Sequence, residues 1–298
     1  MRFASMLKRQ RVLLQLVREA GGRIDKLRLV KLGFLLAQGA GSRDMGAFYH
    51  FVPYKFGPFS FAMFKELASL EAKGFLFVSK NEVGLDERRA GEVPKVEAET
   101  VIEVGRLVER YRQRSTDALL DEVYADYPWY ALLSERKGVV KQPRPEAEVA
   151  IYTVGYEKLD IDELLGLLLE KGIRRVIDVR KNPLSRRYGF HKSTLSKHLD
   201  SMGLAYEHLP ELGIDSSWRA ELDSLADYEA VFRRYESEVL PTAVARAAIA
   251  AVAAWMSDAP SVLLCQEADP RYCHRTRVAR AVSRRVDFEV HDLRESTA

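Results

Sequence analysis

The sequence predicts an α/β fold: a three-layer C-terminal domain with a parallel sheet, preceded by a mostly helical N-terminal domain. The first observation is that short apolar strands alternate with amphipathic helices after residue 149, which is typical of a parallel sheet covered by helices. The second is the segment GVVKQPRPEAE, where two prolines among charged residues indicate a linker. The third is length, since 298 residues suffice for two hydrophobic cores. We therefore predict domains at 1–137 and 149–298, joined by a linker at 138–148.

The N-terminal domain is predicted to begin with a helix over residues 7–19, which Gly21 and Gly22 end. Asp25 can cap a second helix. After the aromatic stretch FYHFVPYKFGPFS, whose prolines exclude a long regular element, a third helix ends at Gly74 and a short strand, FLFVSK, follows. Helices at 97–112 and 116–127 complete the domain. Three helices followed by a strand resemble a winged helix-turn-helix.

Charge is concentrated at the N-terminal end of the chain. The net charge is +3, but residues 1–80 hold 14 Lys and Arg against 5 Asp and Glu. Such an excess predicts a polyanionic partner, with nucleic acid, most often DNA, as the usual one. The alternative is a solvated basic face without a partner. The predicted phosphate contacts are Arg9, Arg11, Lys26, Arg28, Lys31, Lys55 and Lys65.

Four short stretches of the N-terminal domain carry a family resemblance. In chain order, "RLVKLGFLLAQ", "FVPYKFGPFS", "LASLEAKGFL" and "DEVYADYPWYAL" resemble the Panacea or SocA-like antitoxin domain over about residues 10–135. The resemblance implies a regulatory module that binds DNA or a protein partner.

The chain is predicted to be cytoplasmic. No apolar run reaches membrane-spanning length, and charge interrupts the N-terminal segment, so it is not a secretory signal. The two cysteines are then expected to be free thiols.

The C-terminal domain brings polar residues to the carboxyl ends of its predicted strands, where parallel sheets bind ligands. The strands are predicted at 150–156, 174–180, about 204–213 and 261–267, with a last one at FEVHDL. A long helical region is expected over 228–256, and a further helix with Asp269 as N-cap and Pro270 in its first turn. The predicted catalytic residues are Asp178, Glu267 and Tyr156. The predicted substrate-binding residues are Arg180, Arg186, His208, Glu211, Cys265, His274 and Arg275.

A second resemblance covers residues 150–295. "YTVGY", "VIDVRKNPLSRRYGFHKSTL", "YEHLPELG" and "LLCQEADPRYCHR" are similar, in that order, to the domain of unknown function 488 family. It implies an α/β fold and no particular reaction. This chain departs from the family at Ile214, where a second glycine is common.

The stretch CQEADPRYCHR, residues 265–275, holds both cysteines. Its C-x5-R spacing matches phosphatase loops, but two carboxylates and Pro270 inside it oppose anion binding. Zinc would need Cys265, Cys273, His274 and a distant carboxylate in an irregular pattern. A pocket wall is the preferred interpretation, and we expect no stoichiometric zinc, no cofactor and no covalent thiol intermediate.

The function predicted from these features is a nucleic-acid-associated hydrolase or lyase, with removal of a modified or damaged base as one form. Asp178 would be the general acid or base and Arg180 would position the substrate. Asp178 can alternatively be half of a structural Asp–Arg pair. The second hypothesis is a non-enzymatic regulator whose α/β domain senses a nucleotide-like ligand.

Overall fold

The structure, a computed structural model, describes residues 6–39, 48–93, 95–219 and 222–294. The chain divides into two compact units, Met1–Pro143 (unit 1) and Arg144–Ala298 (unit 2). The predicted fold class is confirmed: unit 1 is largely helical and unit 2 is built on a parallel sheet.

Unit 1 combines helices with two small antiparallel sheets. Its elements are α1 (Lys8–Glu19), β1 (Arg23–Asp25), α2 (Lys26–Gly39), β2 (Val52–Tyr54), β3 (Gly57–Phe59), α3 (Phe61–Ala72), β4 (Leu76–Val78), β5 (Glu82–Leu85), α4 (Ala98–Tyr111) and α5 (Thr116–Asp126). One sheet has the order β1-β5-β4, and β2 pairs with β3 in a hairpin.

Local sequence signals account for most helix ends in unit 1. Gly21 and Gly22 both adopt positive φ after α1, as glycine permits. Asp25 accepts a hydrogen bond from the backbone N–H of Arg28 at the start of α2, and Ser60 does the same for Met63 in α3. Strands β1 and β5 have three and four residues, which is too short for an alternating pattern, so the sequence carries no signal that predicts them.

Unit 2 contains a five-stranded sheet of order β10-β6-β9-β7-β8 in which every paired strand is parallel. Its elements are β6 (Ile151–Gly155), α6 (Ile161–Glu170), β7 (Arg175–Asp178), α7 (Lys192–Ser201), β8 (Ala205–His208), α8 (Leu225–Glu238), α9 (Ala243–Asp258), β9 (Ser261–Cys265), α10 (Arg275–Ser283) and β10 (Val290–Asp292).

Both faces of the unit 2 sheet are covered. Ile177 and Leu263 pack in one core with residues of α8, α9 and α10. Their chain neighbours Val176 and Val262 point to the opposite face and are also fully buried. The near-continuous apolar strands of the sequence therefore reflect a doubly covered sheet.

Two predicted helices of unit 2 are corrected. The single helical region expected over 228–256 is two helices, α8 and α9, with a break that contains Pro241 and a bend of 98°. The helix expected from Pro270 is a short 3-10 turn, Pro270–Tyr272, capped by Asp269. The α-helix itself begins at Arg275.

Among the described residues, no single helix combines the length and the apolar composition needed to cross a membrane. Helices α8 and α9, which are bent relative to each other, reach that length and apolar composition only when they are taken together.

Candidate functional site

The carboxyl ends of four strands meet at one edge of the unit 2 sheet. Gly155 at the end of β6 is in register with Cys265 at the end of β9, and Asp178 at the end of β7 is in register with His208 at the end of β8. The sequence-based expectation that these ends lie together agrees with the parallel topology.

Arg180 is the most constrained charged residue at this edge. Its side chain is 7% exposed, and it forms a two-point ion pair with Asp178, with Nε–Oδ1 and Nη2–Oδ2 distances of 2.8 and 2.5 Å. Nη1 also donates to the Phe190 carbonyl at 2.9 Å and to the Tyr156 hydroxyl at 3.1 Å. These bonds hold the guanidinium in one orientation.

Asp178 is fully buried, and its carboxylate accepts four hydrogen bonds. Besides the two from the Arg180 side chain, it accepts one from the Arg180 backbone N–H at 3.1 Å and one from the Tyr206 hydroxyl at 2.7 Å. Because these hydrogen bonds use the acceptor sites of the carboxylate, Asp178 is better suited to orienting Arg180 than to transferring a proton.

Tyr206 was not singled out from the sequence. It lies on β8, as His208 does. Because side chains alternate along a strand, the position of Tyr206 two residues before His208 predicts that both lie on the same face.

Tyr156 places a phenol beside Arg180. Its ring stacks on Phe190 at 4.3 Å, and the Arg180 guanidinium lies 5.1 Å from the ring centre. Burial raises the pKa of Tyr156, and the neighbouring Arg180 only partly offsets that effect. The hydroxyl therefore keeps its proton at neutral pH.

A polar pocket of about 100 Å³ opens at this edge. Three of its walls come from predicted site residues, Tyr156, Arg180 and Cys265. Its full lining is Tyr156, Arg180, Lys181, Asn182, Leu184, Ile214, Ser216, Cys265 and Gln266. Lys181 adds a second positive charge, and Ile214 forms part of the wall and is 3% exposed.

Behind Cys265 lies a buried cluster of sulfur and nitrogen atoms. The Cys265 thiol is 3.7 Å from Nδ1 of His274 and 3.4 Å from a carboxylate oxygen of Glu267. His274 Nε2 is 3.0 Å from the Val179 carbonyl. Cys273 is also completely buried, and neither cysteine forms a disulfide.

Arg275 does not face the pocket, which corrects its predicted role in substrate binding. It is fully buried, pairs with Asp292 at 2.9 Å and donates to the carbonyls of Glu267 and Ala268. Its contacts fix the loop after β9 against β10.

The other predicted site residues lie around the pocket. The ring of His208 bridges the Arg180 carbonyl and the Lys192 ammonium, each at 2.9 Å. Arg186 is exposed, and Glu211 is partly buried in the 3-10 turn Pro210–Leu212.

Several predicted phosphate contacts in unit 1 have partners within the protein. For Lys31 the structure disagrees with the prediction, because its side chain is 1% exposed and donates to the Pro58 carbonyl at 2.8 Å. Burial lowers its pKa to about 7. Arg28 donates to the carbonyls of Tyr111 and Arg114.

Ion pairs engage two more of these residues. Arg9 binds Glu66 at 2.5 Å, and Lys55 binds Glu135 at 3.1 Å. Lys65 is exposed on α3, while Arg11 and Lys26 are partly buried.

A groove in unit 2 with several arginines was not predicted from the sequence. It has a volume of about 430 Å³, and its lining includes four arginines of α10 and the residues after it, Arg277, Arg280, Arg284 and Arg285. Glu236 also lines the groove, 3.9 Å from Arg277. The sequence signal was the arginines' spacing of three and four residues, which places Arg277, Arg280 and Arg284 on one helix face.

Unit 2 is a parallel α/β domain with a polar pocket at the carboxyl ends of its strands. Residues 160–282 match the family model of the Domain of unknown function DUF488, which confirms the resemblance of the C-terminal domain. Neither a curated protein nor a solved structure matches the chain. The resemblance of residues 10–135 to the SocA-like domain stays a prediction.

Proposed function

We propose that this chain is a nucleic-acid-associated enzyme, a hydrolase or lyase, whose unit 2 pocket holds an anionic group of the substrate. The observation that carries the proposal is Arg180, a guanidinium fixed by Asp178 and Phe190 at the wall of a polar pocket. A cation held in advance binds an anion without the entropic cost of ordering its side chain.

The role of each pocket residue follows from its chemistry. Lys181 supplies positive charge to a phosphate or another anion, and Arg180, whose charge Asp178 balances, holds a fixed guanidinium at the same wall. Tyr156, which like any tyrosine is protonated at neutral pH, donates a hydrogen bond from its O–H to the substrate. Asp178 positions Arg180.

Nucleic acid is the substrate class that the charge distribution favours. Arg280, Arg284 and Arg285 of the α10 groove are exposed and can neutralise phosphates of a strand, while Arg277 pairs with Glu229. The order of helices and strands in unit 1, with its β1-β5-β4 sheet, is compatible with a winged-helix-like module that would recruit the protein to DNA. Its basic residues contribute less than their number suggested, because several are already paired.

The test is mass spectrometry of DNA and RNA incubated with the purified full chain, which detects released bases and cleaved strands. We expect turnover by the wild type and a loss of about 10²-fold in Tyr156→Phe, which keeps the ring and removes the donor. Lys181→Ala should weaken substrate binding. Lys197→Ala, an exposed lysine on α7, is the matched control and should behave as wild type. Unchanged turnover in Tyr156→Phe would exclude the assigned role.

The second candidate function is a regulator in which unit 2 senses a nucleotide-like ligand. The saturated hydrogen bonding of Asp178 favours it, since a group that only positions Arg180 serves binding as well as catalysis. Binding of a nucleotide, weakened by Lys181→Ala, with no product from any nucleic acid would select this function over the enzyme.

A further inference from the structure

The geometry points to a zinc site formed by Cys265, Cys273 and His274. The ligand atoms of Cys265, Cys273 and His274 all lie within 4.8 Å of one another, and all three residues are buried. The site lies between the end of β9 and the start of α10 and is distinct from the anion position at Arg180.

The distances fit tetrahedral coordination. Zinc–sulfur bonds of about 2.3 Å and zinc–nitrogen or zinc–oxygen bonds of about 2.1 Å at tetrahedral angles separate the two ligand atoms by about 3.6 Å. The Cys265 sulfur is 3.7 Å from Nδ1 of His274. The separation of Cys265 and His274 is therefore that of two ligands of one zinc ion, and the Cys273 sulfur lies within 4.8 Å of both ligand atoms.

His274 has the orientation and tautomer of a metal ligand. Nε2 is 3.0 Å from the Val179 carbonyl, which only accepts hydrogen bonds, so Nε2 carries the proton. Nδ1 then presents its lone pair toward the Cys265 sulfur. A backbone carbonyl bound to the distal nitrogen is the usual outer support of a zinc-bound histidine.

The charges around the site suit a zinc ion. Two thiolates neutralise Zn²⁺, so the loaded site at Cys265, Cys273 and His274 carries no net charge. Arg275 pairs with Asp292 at 2.9 Å, so these two neighbouring charges balance each other. The Arg275 guanidinium also donates to the Glu267 carbonyl, which steadies the loop between the two cysteines.

Two features explain why the sequence argued against this site. The seven-residue gap between the cysteines is not a C-x2-C spacing, and the histidine follows the second cysteine directly. The 3-10 turn Pro270–Tyr272 folds the gap back, so that both cysteines reach the same point. The three protein ligands would connect the end of β9 to the start of α10, with a water molecule as the fourth ligand.

The experiment is elemental analysis of the full chain, purified reduced and without a histidine tag, before and after exposure to Zn²⁺ and dialysis. We expect about one zinc per chain. Cys273→Ser and His274→Asn should lose it, while His198→Asn, a partly buried histidine on α7, should retain it. A chelator should lower the melting temperature of the wild type and not that of Cys273→Ser.

Cobalt substitution of the wild type keeps the proposal falsifiable if a variant does not fold. Co²⁺ at this site should give thiolate charge-transfer and tetrahedral d–d absorption bands. Absence of these bands, reduced wild type that takes up no zinc, or zinc retained by Cys273→Ser would each overturn the site. Activity of the pocket is not needed for any of these readouts, so they are independent of the proposed function.

Discussion

Replacement of Asp178 by Asn should destabilise unit 2 by about 3 kcal/mol, because breaking a buried ion pair from one side costs about 3–5 kcal/mol and Asn retains part of the hydrogen bonding. The pair is buried on both sides, with side chains 7% and 0% exposed. The chain provides a matched control with the same spacing: Asp269 and Arg271 are also an Asp–Arg pair two residues apart, but their side chains are 36% and 70% exposed. Asp269→Asn should cost between 0 and about 1 kcal/mol.

The assay is urea unfolding followed by tryptophan fluorescence in a Trp129→Phe background, where the remaining Trp218 and Trp255 both report on unit 2. With a slope of about 2 kcal/mol per molar urea, Asp178→Asn should lower the midpoint by about 1.5 M and Asp269→Asn by less than about 0.5 M. Equal midpoints for the two variants would refute the structural role of Asp178. They would also restore it as a candidate acid or base.

Three further predictions concern other parts of the molecule. Because the pKa of Lys31 is lowered to about 7 when folded, the unfolded chain binds more protons between pH 7 and its ordinary value of 10.5. The free energy of unfolding of unit 1 should therefore rise by about 3 kcal/mol from pH 7 to pH 10, and Lys31→Met should show no such rise. A Cβ on Gly155 would lie 1.8 Å from a backbone carbonyl oxygen of the loop after β9, so Gly155→Ala should lower the free energy of unfolding by about 3 kcal/mol or more; Gly39→Ala, with open space around it, is the control. Arg280→Glu with Arg284→Glu should weaken DNA binding in gel-shift titrations and flatten its salt dependence, since log K changes by about 0.9 per phosphate contact per log unit of salt; an unchanged slope would remove the α10 groove from the nucleic-acid interface.

The sequence predicts the architecture of unit 2 well because its signals are strong. Apolar strands alternate with helices that have recognisable ends, and parallel strands necessarily bring Asp178 and Cys265 to one edge of the sheet. The pocket follows from that topology. Which side chains face it does not, since Arg275 and Arg180 are equally plausible from the sequence and only packing separates them.

In unit 1 the number of basic residues predicts nucleic-acid contacts less well than the strand pattern of unit 2 predicts its sheet. A count of lysines and arginines cannot show which of them are buried or paired. Lys31 lies among the buried apolar residues of α2 and donates to the Pro58 carbonyl. Arg28 donates to the backbone carbonyls of Tyr111 and Arg114, which are more than 80 positions away in the chain. Such long-range partners have no local sequence signal.

Cys265 links the pocket and the zinc site and explains why both must be tested separately. Its side chain forms one wall of the pocket, and its sulfur also lies 3.7 Å from Nδ1 of His274. Cys265→Ser would disturb both sites and could not assign an effect to either. Cys273 and Lys181 each belong to one site alone, so Cys273→Ser reports on the metal and Lys181→Ala on the anion. If the zinc only holds β9 to α10, its removal should lower stability in proportion to the binding free energy and leave the relative activities of Lys181→Ala and wild type unchanged. A change in that ratio on zinc removal would instead mean that the metal acts on the substrate through the shared thiolate.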